Sequence, residues 1–248
     1  MKIRLTGKNI EDIRPLLPQY GLEETDGPPE LIVCYGGDGS LLGAERSFPG
    51  IPKLPLRDTG SARLCDDHSH ARQLQNFVDG KTVINRPRKL EVLVGSFRQT
   101  ALNDIYIHNS DHASALRYQV WLDDQLYAEE IAGDAVGLST VHGSSAYYRS
   151  ITHSVFRVGL GLAFSNSMEL VNHMVISEDS EVRIKIIRGP GVIIADNAPE
   201  RIIMQENDEA LLRQSEEQAA IYGLENFMCP KCRFLRHLKQ YPFVRMAR

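Results

Sequence analysis

Four cysteines, one tryptophan, no long apolar run and no excess of positive charge mark this chain by what it lacks, and each shortage removes a class of protein. Four cysteines in 248 residues make no disulfide scaffold, and Cys34, set in the apolar run Leu31 to Tyr35, reads as a small hydrophobe. A formal net charge of -4 supplies no basic field for a nucleic-acid backbone, so nucleic acid is not an expected partner. No stretch approaches the roughly 18 apolar residues needed to span a bilayer. The opening Met-Lys-Ile-Arg-Leu-Thr-Gly reads as a polar-flanked strand without a signal segment, and the expected location is the cytoplasm, away from any membrane. Internal repeats and low-complexity tracts are missing too. What remains is a globular chain, 42% hydrophobic, with enough core for one large domain or two ordinary ones.

The first third alternates between strand and helix patterns: a strand over Lys2 to Thr6, a helix over Ile10 to Tyr20, a strand over Leu31 to Tyr35 and a helix over Ser40 to Phe48. Such alternation predicts a parallel sheet covered by helices. After a further helix at Ser69 to Asp79 the texture turns to β-rich runs at Lys89 to Gly95, Asp104 to His108, Ala115 to Leu122, Gln125 to Ala132, Val155 to Leu162, Glu181 to Ile187, Gly191 to Asp196 and Arg201 to Gln205. Asp123-Asp124 between two alternating runs reads as a hairpin turn. The expected fold class is therefore α/β plus all-β: an N-terminal parallel α/β domain over 1–85, a β-rich domain over 86–222, and a tail over 223–248. In Lys231 to Arg248 six Lys/Arg and one His are interleaved with Phe234, Leu235, Leu238, Phe243 and Val244, the pattern of a docked helix with solvated charges.

Three polar clusters carry the chemistry. In Leu31-Ile-Val-Cys-Tyr-Gly-Gly-Asp-Gly-Ser40 an apolar strand breaks into glycines and enters a helix. Gly36, Gly37 and Gly39 let a phosphate approach backbone N–H groups, and the helix turns its positive dipole end to the same spot. A carboxylate there, Asp38, is electrostatically awkward unless it handles a metal ion or takes the proton of an attacking hydroxyl, which points to phosphoryl transfer. An ordinary strand-turn-helix connection with a good N-cap fits the same decapeptide. The second cluster, Asn103-Asp104, opens a strand, where an Asn can present donor and acceptor to a base or ribose or simply cap the strand end. The third, Gly133-Asp134 through Ser139-Thr140, Ser144-Ser145-Ala146-Tyr147 and Ser150, is dense in hydroxyls and glycine, and Tyr147 offers a flat face for stacking.

In that order the three clusters resemble the NAD kinase family, whose pattern runs Gly-Gly-Asp-Gly-Thr, then Asn-Glu, then a Gly-Asp-Gly strand leading into Ser-Thr-Pro-Thr-Gly-Ser-Thr-Ala-Tyr. The resemblance spans nearly the whole sequence. Val175 to Ile184 is similar to the family's later strand entry, and Phe234-Leu235-Arg236-His237-Leu238 to its Leu-Arg-x-Lys-Leu. The first motif is shared with diacylglycerol, sphingosine and 6-phosphofructo kinases; the three together are specific. The resemblance implies an N-terminal α/β domain, a C-terminal β domain, a C-terminal segment returning to the N-terminal domain, and a homodimer or homotetramer. It implies ATP with Mg²⁺ as donor and NAD as acceptor, phosphorylated on the adenosine ribose 2′-hydroxyl. Asp38 would assist that attack; Gly36, Gly37, Gly39 and Ser40 would cradle phosphate. Asn103 and Asp104 would bind nucleoside polar groups, Asp134 would lie near the nicotinamide or its ribose, and Ser145, Ala146, Tyr147 and Ser150 would line the nucleoside pocket. Rival readings are a silent nucleotide-binding regulator and a kinase for another diol, a sugar or lipid.

Departures from the pattern are specific. Asp104 stands where the family has Glu, Ala135 replaces a glycine, Val141-His142 replaces Pro-Thr, and Leu56 to Leu64 offers Arg57 and Arg63 where the family shows Gly-Ile-Asn-x-Gly-x-Leu-Gly-Phe. Either arginine would suit bidentate phosphate contact, or the loop serves another ligand. Cys229-Pro-Lys-Cys232 has zinc-knuckle spacing. Given the returning tail that the resemblance implies, Cys65 with His68 or His70, or else His237, would complete a structural Zn²⁺ site; two ordinary thiols are the alternative.

Overall fold

The computed structural model describes residues 1–60, 63–111, 113–227, 229–232 and 234–235. Contacts divide the chain into two units, 1–86 with 219–248, and 87–218. The architecture is mixed α/β, with strands predominant.

In the first unit β1 (Lys2–Gly7), β2 (Glu23–Glu24), β3 (Leu31–Gly36) and β4 (Lys53–Arg57) run parallel in the order β2-β1-β3-β4. Every residue of β3 is buried, as a central parallel strand requires, whereas β1 alternates. Helix α1 (Asp38–Ser47) follows β3, and α2 (His70–Val78) begins after Ser69, whose side chain accepts the Arg72 N–H as an N-cap. The sheet closes with β5 (Ile84–Asn85). The core joins Ile3, Val33, Tyr35 and Leu56 to Leu74 of α2. The pattern over Ile10 to Tyr20 does not fold as an α-helix: it forms two 3₁₀ segments, Ile10–Asp12 and Arg14–Tyr20. Pro15 and Pro18 explain the difference, because each lacks the N–H for an i→i−4 bond.

The second unit is a sandwich. One sheet, in the order β10-β9-β14-β17-β6-β7, contains β6 (Arg88–Val94), β7 (Phe97–Ala101), β9 (Leu116–Leu122), β10 (Gln125–Gly133), β14 (Val182–Arg188) and β17 (Glu209–Gln218). The other, β13-β12-β11-β8-β15-β16, contains β8 (Asp104–Asn109), β11 (Ala135–Ser139), β12 (Leu160–Ser165), β13 (His173–Ile176), β15 (Gly191–Ala195) and β16 (Ile202–Met204). Inward residues of both sheets form one core, among them Val92, Ile107, Val120, Leu138, Leu162, Ile184 and Leu212. Asp123 and Asp124 both take left-handed φ, 49° and 64°, in the expected hairpin. The strand expected at Val155 to Leu162 starts only at Leu160, since the short helix α3 (Tyr147–Thr152) and a loop occupy the approach to it.

The chain then rejoins the first sheet. β18 (Ile221–Tyr222), placed by its sequence in the β-rich region, pairs parallel with β4 and antiparallel with β5, and α4 (Leu224–Phe227) follows. The docked helix expected over 231–248, including His237 and most of the Leu-Arg-x-Lys-Leu likeness, lies largely outside the described residues. Among the described residues no helix is long and apolar enough to cross a membrane.

Candidate functional site

At the carboxyl ends of the parallel strands the first unit gathers the glycine-rich turn, Asp38 and Arg57, the position at which open α/β sheets generally bind ligands. Gly36 closes β3 with φ +145°, and a Cβ there would fall 2.2 Å from Ser40 Oγ, so this position demands glycine. Gly37 is extended and caps α1 without a side-chain hydrogen bond; a Cβ on it would meet nothing within 4 Å, so open space lies above the turn. Asp38 opens the first turn of α1 with its side chain 59% exposed, and its Oδ1 receives Arg57 Nη2 at 3.0 Å. Arg57, 13% exposed, is the last residue of β4, immediately beside Gly36 in register. The arginine thus meets the catalytic candidate, a pairing invisible in a linear motif. Arg63 is exposed, and Ser61 and Ala62 of the same loop lie outside the described residues. Asp58, also unmarked by the sequence, is buried and holds the strand exit by accepting Asn9 Nδ2 at 3.1 Å and Gly60 N–H at 2.8 Å.

In the second unit strand alternation places Asp104, Tyr106 and His108 on the outer face of β8, while Ile105 and Ile107 enter the core. Tyr147, at the start of α3, meets the Tyr106 ring edge-on at 4.8 Å and the His108 ring at 5.4 Å. Asp196 organises the entry to this strand: its carboxylate accepts the backbone N–H groups of Leu102, Asn103 and Asp104 at 2.7, 2.8 and 3.1 Å. Asn103 is buried, and its Oδ1 has no hydrogen-bond partner among the described residues. Gly143 packs so closely that a Cβ would lie 2.1 Å from Asn103 O.

Two cavities flank the ring contact. One, about 430 Å³, is lined by His108, Asn109, Ser114 and Asp134; the other, about 420 Å³, by Tyr147, Ser150, His153, Ser165 and Asn166. Asn166 Nδ2 donates to Asp134 Oδ2 at 2.8 Å and so links their walls. Ser145 and Ser150 are exposed and Ala146 is half-buried, whereas Ser144 donates inward to Phe156 O at 3.1 Å and Thr140 to Leu102 O at 2.8 Å. The hydroxyl-rich cluster therefore divides: some members hold the turn, others face out. Gly36 to Ser40 form one turn in the first unit; in the second, Asp104 meets the Tyr147 backbone at one end of β8, whereas Asp134 sits at the other end, its carbonyl accepting the Asn109 N–H at 2.7 Å.

Burial, reinforced by the Asp196 carboxylate and opposed by the Tyr147 N–H, pushes Asp104 up to about 7. Burial, with Arg201 nearby, holds the His108 ring below the ordinary imidazole range. For Asp104 the folded state binds the proton more tightly than the unfolded chain, so its contribution to stability is greatest below the usual carboxyl value of 3.8 and is lost as pH rises to about 7. The slope in that window approaches about 1.4 kcal/mol per pH unit. Asp104→Asn is expected to flatten it. Urea midpoints across the window test this, and parallel profiles for native and variant proteins would refute it.

No family model matches the chain. An NAD kinase of Pectobacterium atrosepticum is 28% identical over 226 residues, 85% of this chain and 76% of its own length. One from Methanosphaera stadtmanae is 27% identical over 219 residues, 82% and 78% of the two chains, and one from Serratia proteamaculans 26% over 210, 79% and 71%. A yeast NADH kinase solved with NADH superposes with a TM-score of 0.76 at 18% identity, covering 90% of this chain and 83% of its own. An NAD kinase of Archaeoglobus fulgidus solved with ATP gives 0.73 at 17%, covering 92% and 96%. At those identities the solved structures establish a shared fold. In sequence and in fold, the chain resembles the NAD kinases, as its three motifs lead one to expect.

Proposed function

We propose that this chain is an NAD kinase, transferring the γ-phosphoryl group of ATP to the adenosine ribose 2′-hydroxyl of NAD to form NADP. The observation that carries the reading is Asp38, an exposed carboxylate on the first turn of α1 beside the Gly36 turn, in a chain similar to NAD kinases over about four fifths of its length. In the step proposed, the 2′-oxygen bonds to the γ-phosphorus, the bond to the bridging oxygen of ADP breaks, and the hydroxyl proton passes to the Asp38 carboxylate. The first-turn N–H groups of α1 and the Gly36-Gly37-Asp38-Gly39-Ser40 backbone attract the phosphates. The side chain of Asp38 fits an oxygen ligand to a hydrated divalent cation, and Mg²⁺ bound with ATP supplies neutralising charge to the phosphoryl oxygens.

In the second unit Asn103 Oδ1, without a hydrogen-bond partner among the described residues, and the Asp104 carboxyl are the groups proposed to receive nucleoside hydrogen bonds, and Tyr147 a stacking base. Asp134, Ser145, Ala146 and Ser150 are proposed to line the same nucleotide site. An assembly of two or four copies fits the exposed Met168, Leu170 and Val171 of this unit. Cytoplasmic residence stays part of the proposal. The test is NADP formation from NAD with Mg-ATP, read by a coupled NADP-specific dehydrogenase. No product with ATP or polyphosphate as donor would sink the proposal and leave nucleotide binding without turnover.

A further inference from the structure

In the first unit, Cys65, His68, Cys229 and Cys232 bring one ligand atom each within 4.8 Å of all the others. Two are on the loop that follows β4 and two on the segment after α4, so residues more than 160 positions apart converge on one point. Cys65 Sγ lies 3.2 Å from His68 Nδ1 and 3.5 Å from Cys232 Sγ, and Cys232 Sγ lies 3.5 Å from the same nitrogen. A tetrahedral zinc ion with Zn–S near 2.3 Å and Zn–N near 2.0 Å sets its donors about 3.8 Å apart between sulfurs and about 3.5 Å apart between sulfur and nitrogen. The three observed separations approach these edges, and every pair lies within 4.8 Å, within the reach of side-chain rotation. From this convergence we infer a structural zinc site with a Cys₃His ligand set, fastening the segment after α4 to the loop between β4 and α2.

Further contacts favour a bound cation. The Cys65 N–H points at Cys232 Sγ at 3.4 Å. Amides directed at sulfur stabilise thiolate ligands without competing for the metal. Three thiolates around one Zn²⁺ leave a net negative site, and Lys231, bonded to Asp67 at 3.1 Å, brings positive charge to its rim. A disulfide would demand a sulfur separation near 2.05 Å, and the cysteines are free. Four soft donors close the coordination shell and leave no open position, so the role is structural and not catalytic. The site also has a mechanical purpose. Among the described residues the loop it closes has a 3₁₀ turn at Asp66–His68, and at the loop's end the first residue of α2, His70, lies with its Nε2 2.7 Å from Arg57 O, on the strand end that presents Arg57 to Asp38.

The inference does not depend on which reaction the chain catalyses. Elemental analysis of native protein purified without chelator is expected to find close to one zinc per chain. A mercurial thiol reagent should release it in step with modification of three cysteines. Cys229→Ser and Cys65→Ser should lose the metal, while Cys34→Ser, in the buried middle of β3, should retain it. Zinc well below one per chain in the native protein would overturn the inference, as would full zinc retained by a folded Cys65→Ser/Cys229→Ser double variant. A Cys65–Cys232 disulfide found by mass spectrometry in the freshly purified native protein would overturn it equally. Because the ligand variants can fail to fold, release from the native protein is decisive by itself.

Discussion

Replacing Asp38 with Asn is expected to lower kcat for NADP formation by about 10²–10⁴-fold, the range that general acid-base catalysis contributes. The substitution preserves size and removes the charge that the proposed step needs to accept the 2′-hydroxyl proton. It also weakens the ion pair with Arg57, but that pair is 59% exposed on the Asp38 side and contributes little to stability. The variant should therefore fold with a native urea midpoint, and KM for NAD should stay near the native value, since none of the residues proposed to bind the nucleoside has changed. A loss in kcat with constant KM marks an interaction made only in the transition state. Equal loss of affinity and rate would move Asp38 from proton acceptor to binding group, and native kcat in the variant would refute its role altogether. Arg57→Met supplies the complementary measurement: an arginine that contacts phosphate once ATP is bound should raise KM for ATP on removal, which an arginine serving only to orient Asp38 would not do.

The glycine-rich turn was legible in the sequence because its chemistry is local. Strand, break and helix follow one another over ten residues, and β3, α1 and the turn at Gly36 appear where the pattern places them. Partners that come from afar left no such mark. Arg57 meets Asp38 across two adjacent strands, and Asp196 clamps Leu102 to Asp104 from 92 to 94 residues away. The single readable hint of Asp196 is its place at the end of an apolar run, where an acid with left-handed φ, here 51°, suits a turn. Strand β17 was missed for a different reason. Its sequence Glu-Ala-Leu-Leu-Arg-Gln-Ser-Glu-Glu-Gln favours helix by propensity, and pairing with β6 and β14, with Ala210 and Leu212 turned into the core, overrides that preference. The metal-ligand set was legible only with the family's returning tail in mind, because spacing alone supplies two pairs and cannot say that they meet.

Lys53→Met is expected to destabilise the first unit by about 3–5 kcal/mol, the cost of stranding one partner of a buried ion pair. Lys53 is fully buried at the start of β4, paired with the Glu45 carboxylate of α1, itself only 5% exposed, and its Nζ donates to Phe48 O at 2.7 Å. The charge thus serves two ends at once, neutralising Glu45 and satisfying a carbonyl at the C-terminus of α1, where cations are favoured. Methionine fills a similar volume, so the loss is electrostatic and not a cavity effect. Against a typical stability of about 5–15 kcal/mol the deficit is large enough to be read as a shift in urea midpoint. The double variant Glu45→Leu/Lys53→Met should recover most of it, because an apolar pair of matching volume carries no desolvation cost. If the double variant loses the sum of the two single losses, the pair is not coupled and the expectation fails. Asp38 lies at the other end of α1, roughly 10 Å from Glu45 at the helical rise per residue. NADP formation by the folded Lys53→Met protein should accordingly keep a kcat close to native at temperatures well below its melting point, which separates a residue that secures the helix from one that acts at its tip.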